Sequence, residues 1–400
     1  MSLLPLSPSM MTAAGPELCQ VYCNGRIFEG WTAVSVSRST QDMAGRFRLS
    51  VTEAVDGAGK IFGWQIRPGD PVQIKLGGVL AVDGFVDIRQ AAYDAESHGV
   101  EIAGRSKTAD AIEAAAVTDD GKPAGPFAGY ALDEIARALL APYAIGLKVI
   151  GEIGAAFPMV TVQVGESVFE VIERLARLRG FHLTDGSDGT LVLANKVEPE
   201  AEPVGLVEGV NILAANAMMD VSKTASEIFV FGQTPGDDDS SGAAVANQTA
   251  VVKNDKAPRK RPKVVVMEEP GDKEAMKARG NREIAQEAER QAAVQVTVQG
   301  WLLADGTLWA PGKTVKLTSP MLLIDRDMLV AGVEFAQSDS SGTITTLDLV
   351  TPEAFALDAP SEEAPAPETE DGSDSGDEPA DDDMGDSASL WSPRSTGSAA

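Results

Sequence analysis

The chain has 400 residues, of which 44% are apolar, and its 60 acidic against 33 basic side chains give a formal net charge of −27. That length accommodates about two to four domains, each able to bury its own core. So acidic a chain argues against a nucleic-acid-binding surface, which needs clustered Lys and Arg. Its two cysteines, Cys19 and Cys23, supply neither a disulfide scaffold nor a four-ligand zinc site.

Residues 1–16 are rich in Ser, Pro and Met and are expected to form a flexible arm. No run of apolar residues is long enough to span a membrane, and the N-terminus lacks the basic-then-apolar order of an export signal. Strand signals begin at 18–28, where Asn24-Gly25 is the favoured pair of a type I′ hairpin turn. Alternation continues through 31–38 and through Phe47, Leu49 and Val51. It then reaches the stretch Ile66-Arg67-Pro68-Gly69-Asp70-Pro71-Val72-Gln73-Ile74-Lys75-Leu76. There Pro68 and Gly69 build a tight turn, and Val72, Ile74 and Leu76 alternate with Gln73 and Lys75 as one buried face of a strand. Strands at 76–87 and 100–104 complete a five- or six-strand unit of barrel or sandwich type over 17–117, ending in a short helix that runs through Ala116.

Residues 118–204 predict an α+β domain. A Gly/Pro linker at 121–129 leads into a helix over 130–141, with Leu132, Ile135, Ala136 and Leu139 on one face. After a strand near 160–164, Ser167 and Glu170 have the spacing of a capping box, and the helix they open stops at Gly180. Residues 181–184 and 191–194 form a hairpin around Asp185-Gly186-Ser187-Asp188-Gly189.

The opening phrase then returns as Trp309-Ala310-Pro311-Gly312-Lys313-Thr314-Val315-Lys316-Leu317, and similar text follows both copies. Upstream, Met219-Asp220-Val221-Ser222-Lys223-Thr224 precedes Glu227-Ile228-Phe229-Val230-Phe231 much as 34–39 precede Phe47. The expectation is one β unit used twice. Its second copy spans 205–235 and 293–355 and is split by an insertion at 236–292 consisting of a polar loop and a charge-laced helix over 272–292. Residues 353–400 hold 14 acidic residues against Arg394 alone. They include several prolines, so the segment from 356 onward is expected to be disordered.

Catalytic signals are absent. His98 and His182 have no partner pattern for a metal or a triad, and no nucleophile elbow, Walker loop or His-Glu-x-x-His occurs. Asp185 with Asp188, and Asp237-Asp238-Asp239, read as solvated turns; the basic run at 256–263 reads as an exposed loop. The expected site list is therefore empty: no catalytic residue, no cofactor and no metal ligand.

Trp64-Gln65-Ile66-Arg67-Pro68-Gly69-Asp70, Asp83-Gly84-Phe85-Val86-Asp87 and Gly104-Arg105-Ser106-Lys107-Thr108 resemble the baseplate hub family of Mu-type contractile-tailed phages (late control protein D-like). Gly300-Trp301-Leu302, Trp309-Ala310-Pro311-Gly312 and Leu347-Asp348-Leu349-Val350 are similar to that family's second half, so the resemblance covers most of 18–355. It implies an α+β, mainly β fold with two similar β-barrel tube domains and an inserted α+β domain. It further implies a non-enzymatic structural virion protein of the tail baseplate, assembled in the host cytoplasm as a homotrimer. Three subunits with two tube domains each would imitate a hexagon, joining the hexameric tail tube to a trimeric spike. Other baseplate proteins would be neighbours, DNA would pass through without specific binding, and no stable membrane association is implied. Two rival readings are a tail-associated cell-wall hydrolase and a component like the type VI secretion spike.

Overall fold

The computed structural model describes residues 17–52, 66–94, 98–195, 204–232, 248–267 and 273–352. The expected arm at 1–16, the acidic tail and Asp237-Asp238-Asp239 lie outside the described residues. The chain divides into Met1–Ser361 and Glu362–Ala400, and all described residues fall in the first part.

The first β unit opens with β1 (Cys19–Cys23) and β2 (Arg26–Phe28), joined through Asn24 and Gly25. Both turn residues are left-handed, with φ of 49° and 74°, as a type I′ turn requires. β3 (Ala33–Ser39), β4 (Arg46–Thr52), β5 (Pro71–Leu76), β6 (Val79–Tyr93) and β7 (His98–Ser106) follow. Period-2 patterning sets their faces: Val72, Ile74 and Leu76 are buried while Gln73 is exposed, and Phe47, Leu49 and Val51 are buried on β4.

The α+β domain comprises α1 (Ala109–Glu113), α2 (Leu132–Leu140), β8 (Leu147–Ile150), α3 (Val168–Leu178), β9 (His182–Asp185) and β10 (Leu191–Ala194). The capping box at α3 forms as expected: Glu170 N donates to Ser167 Oγ at 3.2 Å, and Ser167 N donates to a Glu170 carboxylate oxygen at 2.7 Å. Gly180 then ends that helix at φ 68°. β10 pairs antiparallel with β9 and parallel with β8. The strand expected near 160–164 is reduced to an isolated bridge from Val160 to Phe127, and α1 stops at Glu113, short of Ala116.

β11 (Leu206–Val207) and β12 (Ile212–Met219) begin the second β unit. The chain then departs from the expectation. β13 (Glu227–Gly232) does not copy β4. It is the centre of a separate three-stranded sheet with β14 (Gln248–Lys253) and β15 (Pro262–Val266), covered by α4 (Lys273–Gln291). The basic run thought to be loop thus ends in a strand. Alternation at Glu227-Ile228-Phe229-Val230-Phe231 suits either sheet. What decides is the apolar face Ile228, Val230 and Ala250, which packs on Met276 of α4.

β16 (Ala292–Gln299), β17 (Thr314–Ser319), β18 (Ile324–Ser338) and β19 (Gly342–Val350) complete the second unit. Its strand order, β17-β18-β19-β16-β12, repeats β5-β6-β7-β4-β3 of the first. Strands of 6, 15 and 9 residues recur in the same order, as β5, β6 and β7 and again as β17, β18 and β19. A bulge interrupts each long strand at the same place, after Val86 and after Val330. The two Pro-Gly turns close identically: Gly69 N donates to Val86 O at 2.7 Å, and Gly312 N donates to Val330 O at 2.9 Å. The fold is thus α+β and mainly β, with one barrel-type β unit used twice. The hydrogen-bonded order runs through both units as a single 13-stranded sheet with β12 and β2 at its ends.

Candidate assembly interfaces

The two units meet at a strand seam. β18 pairs antiparallel with β3 from Gly332 opposite Ser39 to Ser338 opposite Ala33. Ser35 Oγ donates to Glu334 Oε1 across it at 3.0 Å, while Val36 and Phe335 are buried on the core face. Glu17, just ahead of β1, clamps the first unit to the second: its carboxylate accepts the backbone N–H of Trp301 at 2.6 Å and of Leu302 at 3.0 Å. Trp301 is fully buried, and its indole N–H donates to Ala336 O at 3.2 Å.

A second joint fixes the α+β domain on this seam. Asp185, expected in a solvated turn, is 2% exposed. One of its carboxylate oxygens accepts Gly45 N at 2.9 Å, and the other lies 3.5 Å from Arg38 Nε. Thr184 Oγ1 donates to Ser39 O at 2.8 Å. On the other side of the seam, Val192 and Ala194 of β10 pack on Leu329. The domain is therefore anchored to both units.

The sheet face opposite the core is largely polar. A shallow concavity across five strands is lined by Met218, Gln295, Asp348, Gly332 and Ser39, among others. Along this face Arg48 pairs with Glu101 at 3.1 Å, Gln295 donates to Asp348 at 3.0 Å, and the Thr297 and Thr346 hydroxyls meet at 3.4 Å. The Arg48 cation, which could otherwise meet a phosphate, is thus paired with a carboxylate.

Among the described residues, exposed apolar side chains occur on strand edges and on a turn. β12 and the distal half of β6 are sheet edges, with Leu213 58%, Met218 67%, Ile88 58% and Tyr93 81% exposed. The β17–β18 turn presents Met321 and Leu323, held by Glu208, whose carboxylate accepts Met321 N at 3.0 Å and Ser319 Oγ at 2.5 Å.

The residues weighed for chemistry are dispersed. His98 opens β7 and stacks on Tyr93 with centroids 5.6 Å apart, while His182 opens β9 in the α+β domain. Asp188 accepts Thr190 N at 3.1 Å and closes its own turn. Among the described residues no group of three or more His, Cys, Asp or Glu is placed to hold a metal. Burial pushes the Cys19 thiol up to about 12; burial and then the Asp70 charge push Cys23 up as well. Both are thiols in the core of β1, poor nucleophiles by that environment. Asp70 is held below the ordinary carboxylate range, chiefly by the Arg67 N–H that it accepts at 2.8 Å to brace the Pro68-Gly69 turn. No described helix is long and apolar enough to cross a membrane.

Three family descriptions match successive parts of the chain: the Mu phage baseplate assembly protein GpP-like N-terminal domain over 19–106, the baseplate hub protein gp44-like second domain over 108–195, and the fourth domain of GpP over 272–358. The baseplate hub protein gp44 of Escherichia phage Mu is 30% identical over 342 residues, spanning 83% of this chain and 87% of gp44. The chain belongs to the Mu-type baseplate hub family. This hub protein is accordingly a component of the phage tail baseplate. Its fold is similar to that of the 43 kDa tail protein of prophage MuSo2 from Shewanella oneidensis, with TM-score 0.74, 26% identity, and coverage of 85% of this chain and 99% of that one. A tail protein from Neisseria meningitidis shares the fold at TM-score 0.70 and 21% identity, with 86% and 99% covered.

Sequence reasoning found the duplicated β unit and missed both clamps, Glu17 and Asp185. Neither carries a local signal, because their partners lie far along the chain. β14 and β15 were missed too, although the alternation in Gln248-Thr249-Ala250-Val251-Val252-Lys253 was there to be read.

Proposed function

We propose that this hub protein acts as a non-enzymatic symmetry adapter. Three copies close a ring in which six near-equivalent β units face a hexameric tail tube on one side and a trimeric spike on the other. The observation that carries this reading is the repeat of strand order, strand length, bulge and turn in the two units. A chain with one β unit could match a threefold or a sixfold partner; a chain with two similar units can match both. The α+β domain occurs once per chain, as does the β13–β15 sheet with α4, so these parts reduce the sixfold pattern to three. The polar face, with its paired charges, lines the channel and lets DNA pass without holding it.

Sedimentation equilibrium of the purified full-length chain tests the reading. A trimer across the micromolar range is the expected result, and a clean monomer at high micromolar concentration overturns it. Incubation with peptidoglycan should release no soluble fragments; lysis abolished by replacing one carboxylate would replace the scaffold with a hydrolase.

A further inference from the structure

We propose that the distal half of β6 in one copy pairs antiparallel with β12 of a second copy, in the register that β18 and β3 show within the chain. The proposal rests on the ring reading above and adds which edges meet and which residues face one another.

Residues 332–338 of β18 lie between two strands, pairing with β19 on one side and with β3 on the other. In the repeat, β6 stands where β18 stands and β12 where β3 stands. Residues 88–93 of β6 pair with β7, but β5 reaches only to Phe85, so among the described residues no strand covers their other side. Among the described residues β12 pairs with β16 alone. Each chain thus carries one open edge of each kind, and the seam inside the chain shows that these two kinds fit together. Rows of unpaired N–H and C=O groups, flanked by exposed Tyr93 and Met218, are what a folded protein covers or blunts. A foreign strand would satisfy one edge; a second copy satisfies both and repeats until the ring closes.

The internal alignment fixes the register. The bulge residues Asp87 and Ala331 superpose, which places Ile88 at Gly332, Ala91 at Phe335 and Tyr93 at Gln337. Phe47 of β4 and Val294 of β16 superpose through their partners Gly104 and Leu349, which places Ala217 at Val36. Val36 faces Phe335 in the existing seam. Ala217 then faces Ala91, Ala215 faces Tyr93, and Met219 faces Arg89. The pairs on the polar face become Asn216 with Ala92 and Met218 with Gln90. Like charges nowhere meet, and the Tyr93 ring has small residues to lie across.

Disulfide trapping in the full-length chain tests the register, with sedimentation run on the same samples. Tyr93→Cys with Ala215→Cys should give covalent dimer and trimer on mild oxidation. Ile88→Cys with Ala215→Cys, displaced along the strand, should give none. Cys19 and Cys23 are buried and should stay silent in the parent. As an independent arm, Ala91→Arg with Ala217→Arg puts two like charges face to face. It should raise the trimer dissociation constant about tenfold or more and leave far-UV circular dichroism unchanged. A trimer by sedimentation in which matched and displaced pairs cross-link alike, or not at all, overturns the register and leaves the ring standing. So does a trimer indifferent to the paired arginines. A monomer in every sample removes the ring and the seam together.

Discussion

Val72 and Val315 occupy the same point of two β units: Val72 lies second in β5 opposite Gly84 of β6, and Val315 second in β17 opposite Met328 of β18. Both are at most 1% exposed, in one continuous core. An Asp at either place would be a buried charge without a partner, at a cost of about 3 kcal/mol or more. Val72→Asp and Val315→Asp should therefore each lower the melting temperature sharply. Because the positions are equivalent, the two losses should be of similar size. Differential scanning calorimetry checks both, and near-native melting in either would contradict the equivalence.

The two units fill the same space differently. Phe47 faces Gly104 across β4 and β7, whereas Val294 faces Leu349 across β16 and β19. A Cβ on Gly104 would lie 2.1 Å from Phe85 O and 2.5 Å from Phe47 Cζ, so backbone and ring would both have to move. Gly104→Ala should cost about 1–3 kcal/mol in urea unfolding. Gly99→Ala in the same strand meets nothing closer than Ala92 O at 4.0 Å and should change stability by no more than about 0.5 kcal/mol.

How far the sequence disclosed this fold depends on the range of the forces involved. Turn chemistry at Asn24-Gly25 and Pro68-Gly69, and the capping box at Ser167, are local, and each was legible. The repeat was legible through Pro311-Gly312 and the strand after it. The sheet to which Glu227-Ile228-Phe229-Val230-Phe231 belongs was not, because alternation gives a strand its faces and not its neighbours. Asp185 shows the same limit. It sits in a run of Asp and Gly that predicts a wet turn, yet its partner Gly45 is 140 positions away. The open edges of β6 and β12 could be recognised only once pairing was known on their other sides.

Asp185 also sets an expectation for how the α+β domain is held. Replacing it by Ala removes the acceptor of Gly45 N and leaves Arg38 facing an emptied pocket, a loss of about 1–3 kcal/mol for a bond to a charged group. Thr184 and the apolar contact of Val192 and Ala194 with Leu329 remain, so the domain should loosen rather than unfold. Asp185→Ala is expected to speed amide hydrogen exchange at residues 182–194 while β16 and β19 keep their protection. Uniform acceleration across the chain would show that the clamp carries the whole fold instead of one joint.

The sheet of β13, β14 and β15 is tied to α4 through charge, which gives it a pH signature. Lys263 Nζ lies 2.6 Å from Glu283 and 2.9 Å from Glu287, and Glu287, itself 6% exposed, also accepts Ala225 N. Burial alone would raise the Glu283 carboxyl; Lys263 and Arg279 outweigh it and hold the group below its ordinary 4.5. Burial alone would lower the Lys263 ammonium, and its two carboxylate partners raise it above 10.5. A depressed carboxyl contributes stability that is complete above 4.5 and is lost as pH falls through the lower folded value. The raised ammonium contributes below 10.5 and fades as pH climbs past it. Melting temperature should therefore be flat near neutrality and decline below 4.5. Lys263→Met should cost about 1–2 kcal/mol at pH 7, the low part of the range, because Lys263 is 38% exposed and Glu287 keeps the Ala225 N–H. Thermal melts of parent and variant between pH 3 and pH 8 check the sign: with Lys263 gone, the acid decline should be shallower, since protonating Glu283 then breaks less. An unchanged decline in the variant would mean that Arg279, not Lys263, sets the titration of Glu283.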